Sequence, residues 1–190
     1  MRRGFTVPPS LKEGLVHRLV YAAALPLLAL AAPAGASEIF GGAFVHDVNI
    51  GITKSGQENG ADLHLGWRGG RIQALRAIGA PSPYVFGALN TAGDTSFAAA
   101  GLSWKIGREV YVRPGIGVAI HNGPRGRGTP PDRIDFGSRI IFEPEIALGA
   151  QLDERWSIEA SWVHLSHATI LSRQNPGMDS FGVRLNYAFR

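Results

Sequence analysis

The sequence predicts an all-β fold, an eight-stranded antiparallel transmembrane β-barrel. Three observations predict it. Short segments alternate residue by residue between bulky apolar side chains and small or charged ones. Glycine is abundant, at 25 of 190 residues, and after residue 36 no stretch is long and apolar enough to cross a bilayer as a helix. Large aromatic residues gather at one end of the predicted strands, as an interfacial girdle does.

Residues 1–36 read as a signal peptide rather than as part of the fold. Arg2, Arg3, Lys12 and Arg18 make a basic start, "LVYAAALPLLALAA" is a short apolar run, and Ala34-Gly35-Ala36 matches a small-x-small cleavage pattern, with cleavage expected after Ala36. An uncleaved N-terminal anchor is the alternative. Residues 37–190 are expected to form one domain, the outer-membrane barrel. The net charge of +4 falls to +1 once the four basic residues and Glu13 of the leader are set aside, so nothing here argues for a nucleic-acid partner. The chain has no cysteine, so an exported domain must hold together without disulfides.

The strands follow in order. "FGGAFVHDVNI" and "SPYVFGALN" alternate less cleanly than the rest but complete a set of eight. In "ADLHLGWR", Ala61, Leu63, Leu65 and Trp67 share one face and Asp62, His64 and Arg68 the other. In "AAAGLSWKI", Ala98, Ala100, Leu102, Trp104 and Ile106 oppose Ser103 and Lys105. Val112, Ile116, Val118 and Ile120 oppose Arg113, Gly115 and Gly117; Phe142, Ile146 and Leu148 oppose Glu143 and Glu145. Trp156, Ile158, Ala160 and Trp162 oppose Ser157, Glu159 and Ser161, and Phe181, Val183, Leu185, Tyr187 and Phe189 oppose Arg184 and Asn186. A soluble barrel would put the bulky set inside. A membrane barrel inverts this, with ion pairs among small residues filling a narrow interior.

The connections assign the two ends. "GRE" and "LDER" are tight, as periplasmic turns are, whereas 121–138 and 167–178 are long, as external loops are. Trp67, Trp104, Trp156, Tyr187 and Phe189 then all fall at the periplasmic end. The segment 69–82 is too long for a simple periplasmic turn. Pro114 and Pro144 each remove a ladder donor, and bulges are expected there.

The chemistry concentrates in "WVHLSHATILSRQNPGMDSFGVRLNYAF". By parity His164 and Ser166 continue the outward set of Trp156 to Trp162, and Asp179 shares the outward face of Phe181. The two strands form a hairpin, so the three polar residues converge on the outer wall near its external end. An ionisable group at a lipid face is costly, and mutual hydrogen bonding reduces the cost. Ser, His and Asp together match a hydrolytic triad: Ser166 as nucleophile, His164 as general base, Asp179 orienting the imidazole. Residues i and i+2 stand roughly 6–7 Å apart along a strand, so a bend or rotamer change must close the His–Ser gap. Backbone N–H groups at His167 or Ala168 are candidates for an oxyanion hole, with Asn175 and Gly177 shaping it. From spacing and parity alone, Ser and His near a strand end are more often polar groups at a barrel rim.

"HLSHA" followed by "NPGMDSFGVRLNYAF" resembles the C-terminus of the lipid A 3-O-deacylase (PagL) family, whose signature is His-x-Ser-(Asn)-Ala, then Asn-x-Gly and an acid on the last strand. The resemblance is strong over 164–189. His167 stands where Asn is usual, and the acid is Asp where some relatives carry Glu. The resemblance implies an outer-membrane esterase that hydrolyses the 3-O-linked acyl chain of lipid A, with Ser166, His164 and Asp179 as the triad and neither cofactor nor metal. The implied partners are lipid A within lipopolysaccharide and the outer membrane, with no nucleic acid and with a homodimer left open. Ile158 and Trp162 are expected to guide the acyl chain, and Arg125, Arg127 and Arg133 of the long loop to help hold phosphate or acidic sugar. The main alternative is a non-catalytic small outer-membrane barrel, an adhesin or a structural protein.

Overall fold

The computed structural model describes residues 37–50, 57–126, 128–166 and 177–189. The signal-peptide reading of 1–36 therefore lies outside the described residues. Among the described residues nine strands form: β1 (Ser37–Val45), β2 (Ala61–Arg68), β3 (Ser82–Asn90), β4 (Phe97–Ser103), β5 (Ile106–Gly107), β6 (Val110–His121), β7 (Ile140–Gln151), β8 (Trp156–Leu165) and β9 (Met178–Phe189). Each pairs antiparallel with its neighbours in the order β4-β3-β2-β1-β9-β8-β7-β6-β5, and a β4–β6 pairing closes the sheet. β4 and β5 meet β6 in one continuous register, so they make a single stave and the barrel has eight.

The predicted facing holds along the cleanly alternating strands. Leu65 is 72% exposed, whereas Arg184, a far more polar side chain, is 1% exposed. Such an inversion is stable only where hydrocarbon, not water, meets the outer wall. Inside, the charges are paired: Arg184 Nη1 lies 2.5 Å from Glu145 Oε2, Arg113 Nε lies 2.7 Å from Glu159 Oε1, and Arg68 pairs with Glu38. Pairing is what makes burial of these ions tolerable.

The interior differs from the small-and-charged filling expected. β1 and β3 reverse the size pattern: Phe40, Phe44, Tyr84 and Phe86 turn inward, while Gly41, Ala43 and Gly87 are on the outer wall. These rings cluster with Phe97 and with His64, which stacks on Phe44 at 3.9 Å, and the Arg184 guanidinium lies about 5 Å from the Phe40, Phe44 and Phe86 centroids. Glycines on the neighbouring staves make the room. A Cβ at Gly66 would collide with Phe40 and Phe86, and one at Gly182 with Phe44. A ring on one stave lying over a glycine directly across the ladder is a packing solution that single-strand alternation does not reveal.

The expected bulges do not form. β6 and β7 stay in unbroken register from Val110↔Ala150 to Ile120↔Ile140, through both prolines. Each proline instead interrupts one ladder. Opposite Pro114 the pairing with β6 lapses at Trp104 and Lys105, which separates β4 from β5. Opposite Pro144 the β7–β8 pairing stops at Glu145↔Val163 and returns only as the Phe142↔Ser166 bridge, in the same register. Proline lacks a donor but has extended φ, so it deletes a bond without adding a residue.

The segment 69–82 continues the β2–β3 hairpin beyond the ends of its two strands. Gly69 N–H donates to Pro83 O and Ile72 N–H to Pro81 O, both at 2.8 Å, extending the β2–β3 hairpin to a 3-10 turn at Gln73–Ile78. Gly79 closes that turn at φ 94°, which favours glycine, and Trp104 Nε1–H reaches Ile78 O at 2.7 Å. At this same end the rings of Trp156 and Tyr187 meet at 4.8 Å, and those of Tyr187 and Phe189 at 5.6 Å.

Candidate active site

The last hairpin sets the site. Val163 and Leu165 on β8 and Met178 on β9 belong to the buried core. Slipping either strand by one residue would turn them out, so the core fixes which face the intervening residues occupy. His164 therefore stands on the outward side with Trp162, and Asp179 on the outward side with Phe181. The β8–β9 register places His164 directly across from Asp179 and Trp162 across from Phe181.

His164 Nδ1 lies 2.9 Å from Asp179 Oδ1, and Trp162 Nε1–H donates to the same oxygen at 2.8 Å. A carboxylate accepts, so Nδ1 carries a proton, and the neutral form of this imidazole keeps its lone pair on Nε2. The His164 side chain is 17% exposed and that of Asp179 is 0% exposed, although both belong to the outer wall. The Asp179 backbone is held as well, its carbonyl accepting from Val48 N–H at 2.6 Å. The pair is thus an oriented, reachable imidazole backed by a sequestered carboxylate.

Ser166 lies one bridge beyond the end of β8. Its N–H donates to Phe142 O at 3.1 Å, and its carbonyl accepts from Phe142 N–H at 2.6 Å. It is buried, on the parity of His164, but a His164–Ser166 hydrogen bond is not among those of the described residues. The structure brings His164 and Asp179 together and leaves Ser166 beside them. Gly177 is buried immediately before β9, while His167, Ala168 and Asn175 lie outside the described residues. Below the pair, Val112, Ile146, Leu148, Ala160, Trp162 and Phe181 line an apolar hollow on the outer wall. Among the described residues no group of His, Asp or Glu side chains is arranged to hold a metal ion.

A second polar centre lies at the same end, and nothing in the sequence pattern pointed to it. Glu58, wholly buried, accepts from Thr95 N–H and Oγ–H and from Ile134 N–H, each at 3.0 Å, and from Arg133 Nε at 2.9 Å. His46 bridges it to Asp62, with Nε2 at 3.1 Å from Glu58 and Nδ1 at 2.8 Å from Asp62. Burial works against the charged imidazolium, but hydrogen bonds to Asp62 and Glu58 outweigh it and raise the His46 pKa to about 9. Burial likewise opposes the Glu58 carboxylate, and its donors, His46 foremost, hold its pKa down at about 2. Arg133 is therefore engaged within the protein, with Asp94 as a further partner at 3.4 Å, rather than held out for phosphate as expected. Arg125 is exposed, and Arg127 lies outside the described residues.

A closed antiparallel barrel with an apolar wall, ion pairs inside and a histidine–carboxylate pair on its outer face belongs to the class of small outer-membrane barrels. Within that class, the chain belongs to the lipid A 3-O-deacylase (PagL) family, whose model matches residues 47–188. The crystal structure of the outer membrane enzyme PagL superposes with a TM-score of 0.53 at 17% identity, covering 80% of this chain and 99% of that one, a likeness of fold. A de novo designed transmembrane β-barrel (TM-score 0.48, 9% identity, 82% and 96% covered) and Ail of Yersinia pestis in a nanodisc (0.46, 14%, 82% and 99%) are also similar. No curated protein sequence matches the chain.

Proposed function

We propose that this protein is an outer-membrane esterase that removes the 3-O-linked acyl chain of lipid A, using Ser166, His164 and Asp179 on its lipid-facing wall. The observation that carries the reading is the His164–Asp179 hydrogen bond of 2.9 Å, placed on the outer wall at the end of the long connections, with Ser166 two residues further along the chain, just past the end of β8. Family membership supplies the substrate class. Lipid A holds its ester bonds near headgroup depth, and a barrel packed with Phe40, Phe44, Tyr84 and Phe86 has no room to admit it, so the reaction runs from outside.

In this reading Ser166 Oγ attacks the ester carbonyl while His164 Nε2 takes its proton. Asp179, hydrogen-bonded to Nδ1–H, stabilises the imidazolium that results. The tetrahedral intermediate collapses with transfer of that proton to the departing sugar oxygen, leaving an acyl-serine. Water, deprotonated by the same imidazole, then releases the fatty acid and restores Ser166. Rotation at Ser166, one bridge past the end of β8, brings its hydroxyl to Nε2. The oxyanion donor in this reading is a backbone N–H at His167 or Ala168, with Asn175 and Gly177 shaping the hole. A leader cleaved after Ala36 exports the chain. All of these residues come from one chain, so the chemistry does not require a homodimer.

The test is mass spectrometry of lipid A from cells expressing the wild type or Ser166→Ala. Loss of one 3-linked hydroxyacyl chain with the wild type alone is the expected result. Unchanged lipid A with both proteins would favour the non-catalytic barrel instead.

A further inference from the structure

We infer that Trp162 is a positioning residue, holding the Asp179 carboxylate in the orientation in which it meets His164. This rests on the proposed triad. Asp179 Oδ1 accepts two hydrogen bonds from β8, one from His164 Nδ1 at 2.9 Å and one from Trp162 Nε1 at 2.8 Å. The carboxylate is fully buried on a wall that faces hydrocarbon, where a charged group needs donors and water cannot supply them. Trp162 lies across from Phe181, the second residue beyond Asp179, and reaches back diagonally to the acid. One face of its ring stacks on Phe181, with centroids 6.3 Å apart and ring planes 20° from parallel, which restrains the indole.

The residue type suits the task. Indole donates but cannot accept, so it has one way of meeting a carboxylate. It carries no charge, so it does not form a salt bridge that would compete with the imidazolium for Asp179. Its large apolar body belongs on a lipid-facing wall, where Lys or Arg would be costly. An aspartate reaches less far than a glutamate and is already directly opposite His164. A short acid in that position needs its rotation restrained more than it needs reach, and a second donor on the shared oxygen supplies the restraint. The rival role, a membrane anchor or packing residue, uses the ring but not the N–H.

Trp162→Phe keeps the ring and removes the donor. In detergent micelles with lipid A as substrate, the expected result is a kcat reduced about tenfold with KM changed less than twofold. A positioning residue acts through its partner, so in an Asp179→Ala background Trp162→Phe should cause no further loss of residual turnover. Wild-type kcat in Trp162→Phe, a change confined to KM, or a full additional loss in the Asp179→Ala background would each overturn the inference. An independent readout is the Trp162 indole N–H resonance in 15N-labelled Ser166→Ala protein. It should lie downfield and shift toward free indole on adding Asp179→Ala; no response to Asp179→Ala would overturn the pairing. Full activity in Ser166→Ala would remove the proposed reaction and the positioning role together. Loss of activity in Ser166→Ala alongside an unaffected Trp162→Phe would remove this inference alone.

Discussion

His164 and Asp179 are direct cross-strand partners on β8 and β9, and their side chains close the 2.9 Å gap from Nδ1 to Oδ1 on the outer wall. Cross-strand neighbours are the closest side-chain pairs a sheet offers, so a short acid suffices to orient the imidazole.

Changing that acid should therefore tell. Asp179→Asn keeps size and removes the charge that stabilises the imidazolium, and its amide can donate where the carboxylate accepts. The expected loss of kcat is on the order of 10³–10⁴-fold with little change in the amount of folded barrel. Asp179→Glu keeps the charge but overshoots a partner directly opposite, and should retain more activity than Asp179→Asn. Deacylation rates in micelles, alongside the heat-modifiable gel mobility of the folded barrel, check both. Equal activity in Asp179→Asn and wild type would remove Asp179 from the mechanism.

Glu58 ties together three connections at the long-loop end, through His46, Thr95 and Arg133–Ile134. Ile134 and Phe136 are fully buried in the core cluster, so this part of the 122–139 connection is packed. Glu58→Ala should leave the membrane-embedded staves paired and make 122–139 readily cleaved by protease. The pH dependence follows from the two shifted groups. Glu58, depressed from 4.5 to about 2, adds stability that is present above pH 4.5 and lost as pH falls through 2. His46, raised from 6.5 to about 9, adds stability that is complete below pH 6.5 and lost as pH rises through 9. Protease resistance of this loop should thus be greatest between pH 4.5 and 6.5 and decline toward pH 9, and His46→Ala should flatten the alkaline decline. A profile identical in wild type and His46→Ala would refute the assignment.

How much of this was legible in the sequence varies with how local the cause is. The outward set on β6 to β9 could be read directly, because Val112, Leu148, Ile158 and Leu185 alternate with charges over many residues. β1 and β3 could not, because Phe40 and Tyr84 turn inward into space left by glycines on other staves. The His164, Ser166 and Asp179 parity was legible for the same reason as the strands. The second bond to Asp179 had a signal, a Trp two residues before the His on the same face, but a lipid-facing ring and a hydrogen-bonding ring look alike in one dimension. The Glu58 centre joins residues from separate connections, and no periodicity relates them.

The glycines that admit the interior rings offer a stability test. A Cβ at Gly66 would meet Phe40, Phe86 and the Val85 carbonyl, and the carbonyl cannot swing aside as a side chain does. Gly66→Ala should destabilise the barrel by roughly 1–3 kcal/mol, read as a lower urea midpoint for unfolding in micelles. Gly87→Ala is the control. No atom lies near a Cβ built there, so it should shift the midpoint little. Equal midpoints for the two variants would contradict the packing described.

Pro144 interrupts the β7–β8 ladder next to the site. The Phe142↔Ser166 bridge exchanges both of its backbone bonds, so in the same register position 144 faces His164 across the ladder. A residue with an N–H at 144 would donate to the His164 carbonyl; proline cannot. Pro144→Val should restore that bond, stabilising the barrel by about 0.5–1.5 kcal/mol and protecting the amide at 144 from exchange. It should also tether the short stretch from His164 to Ser166, whose adjustment the proposed proton transfer requires, and so lower kcat several-fold while the barrel becomes harder to unfold. Hydrogen exchange, urea midpoints and deacylation rates measured together decide the point. A more stable variant with unchanged kcat would mean that the interruption serves no role in the reaction.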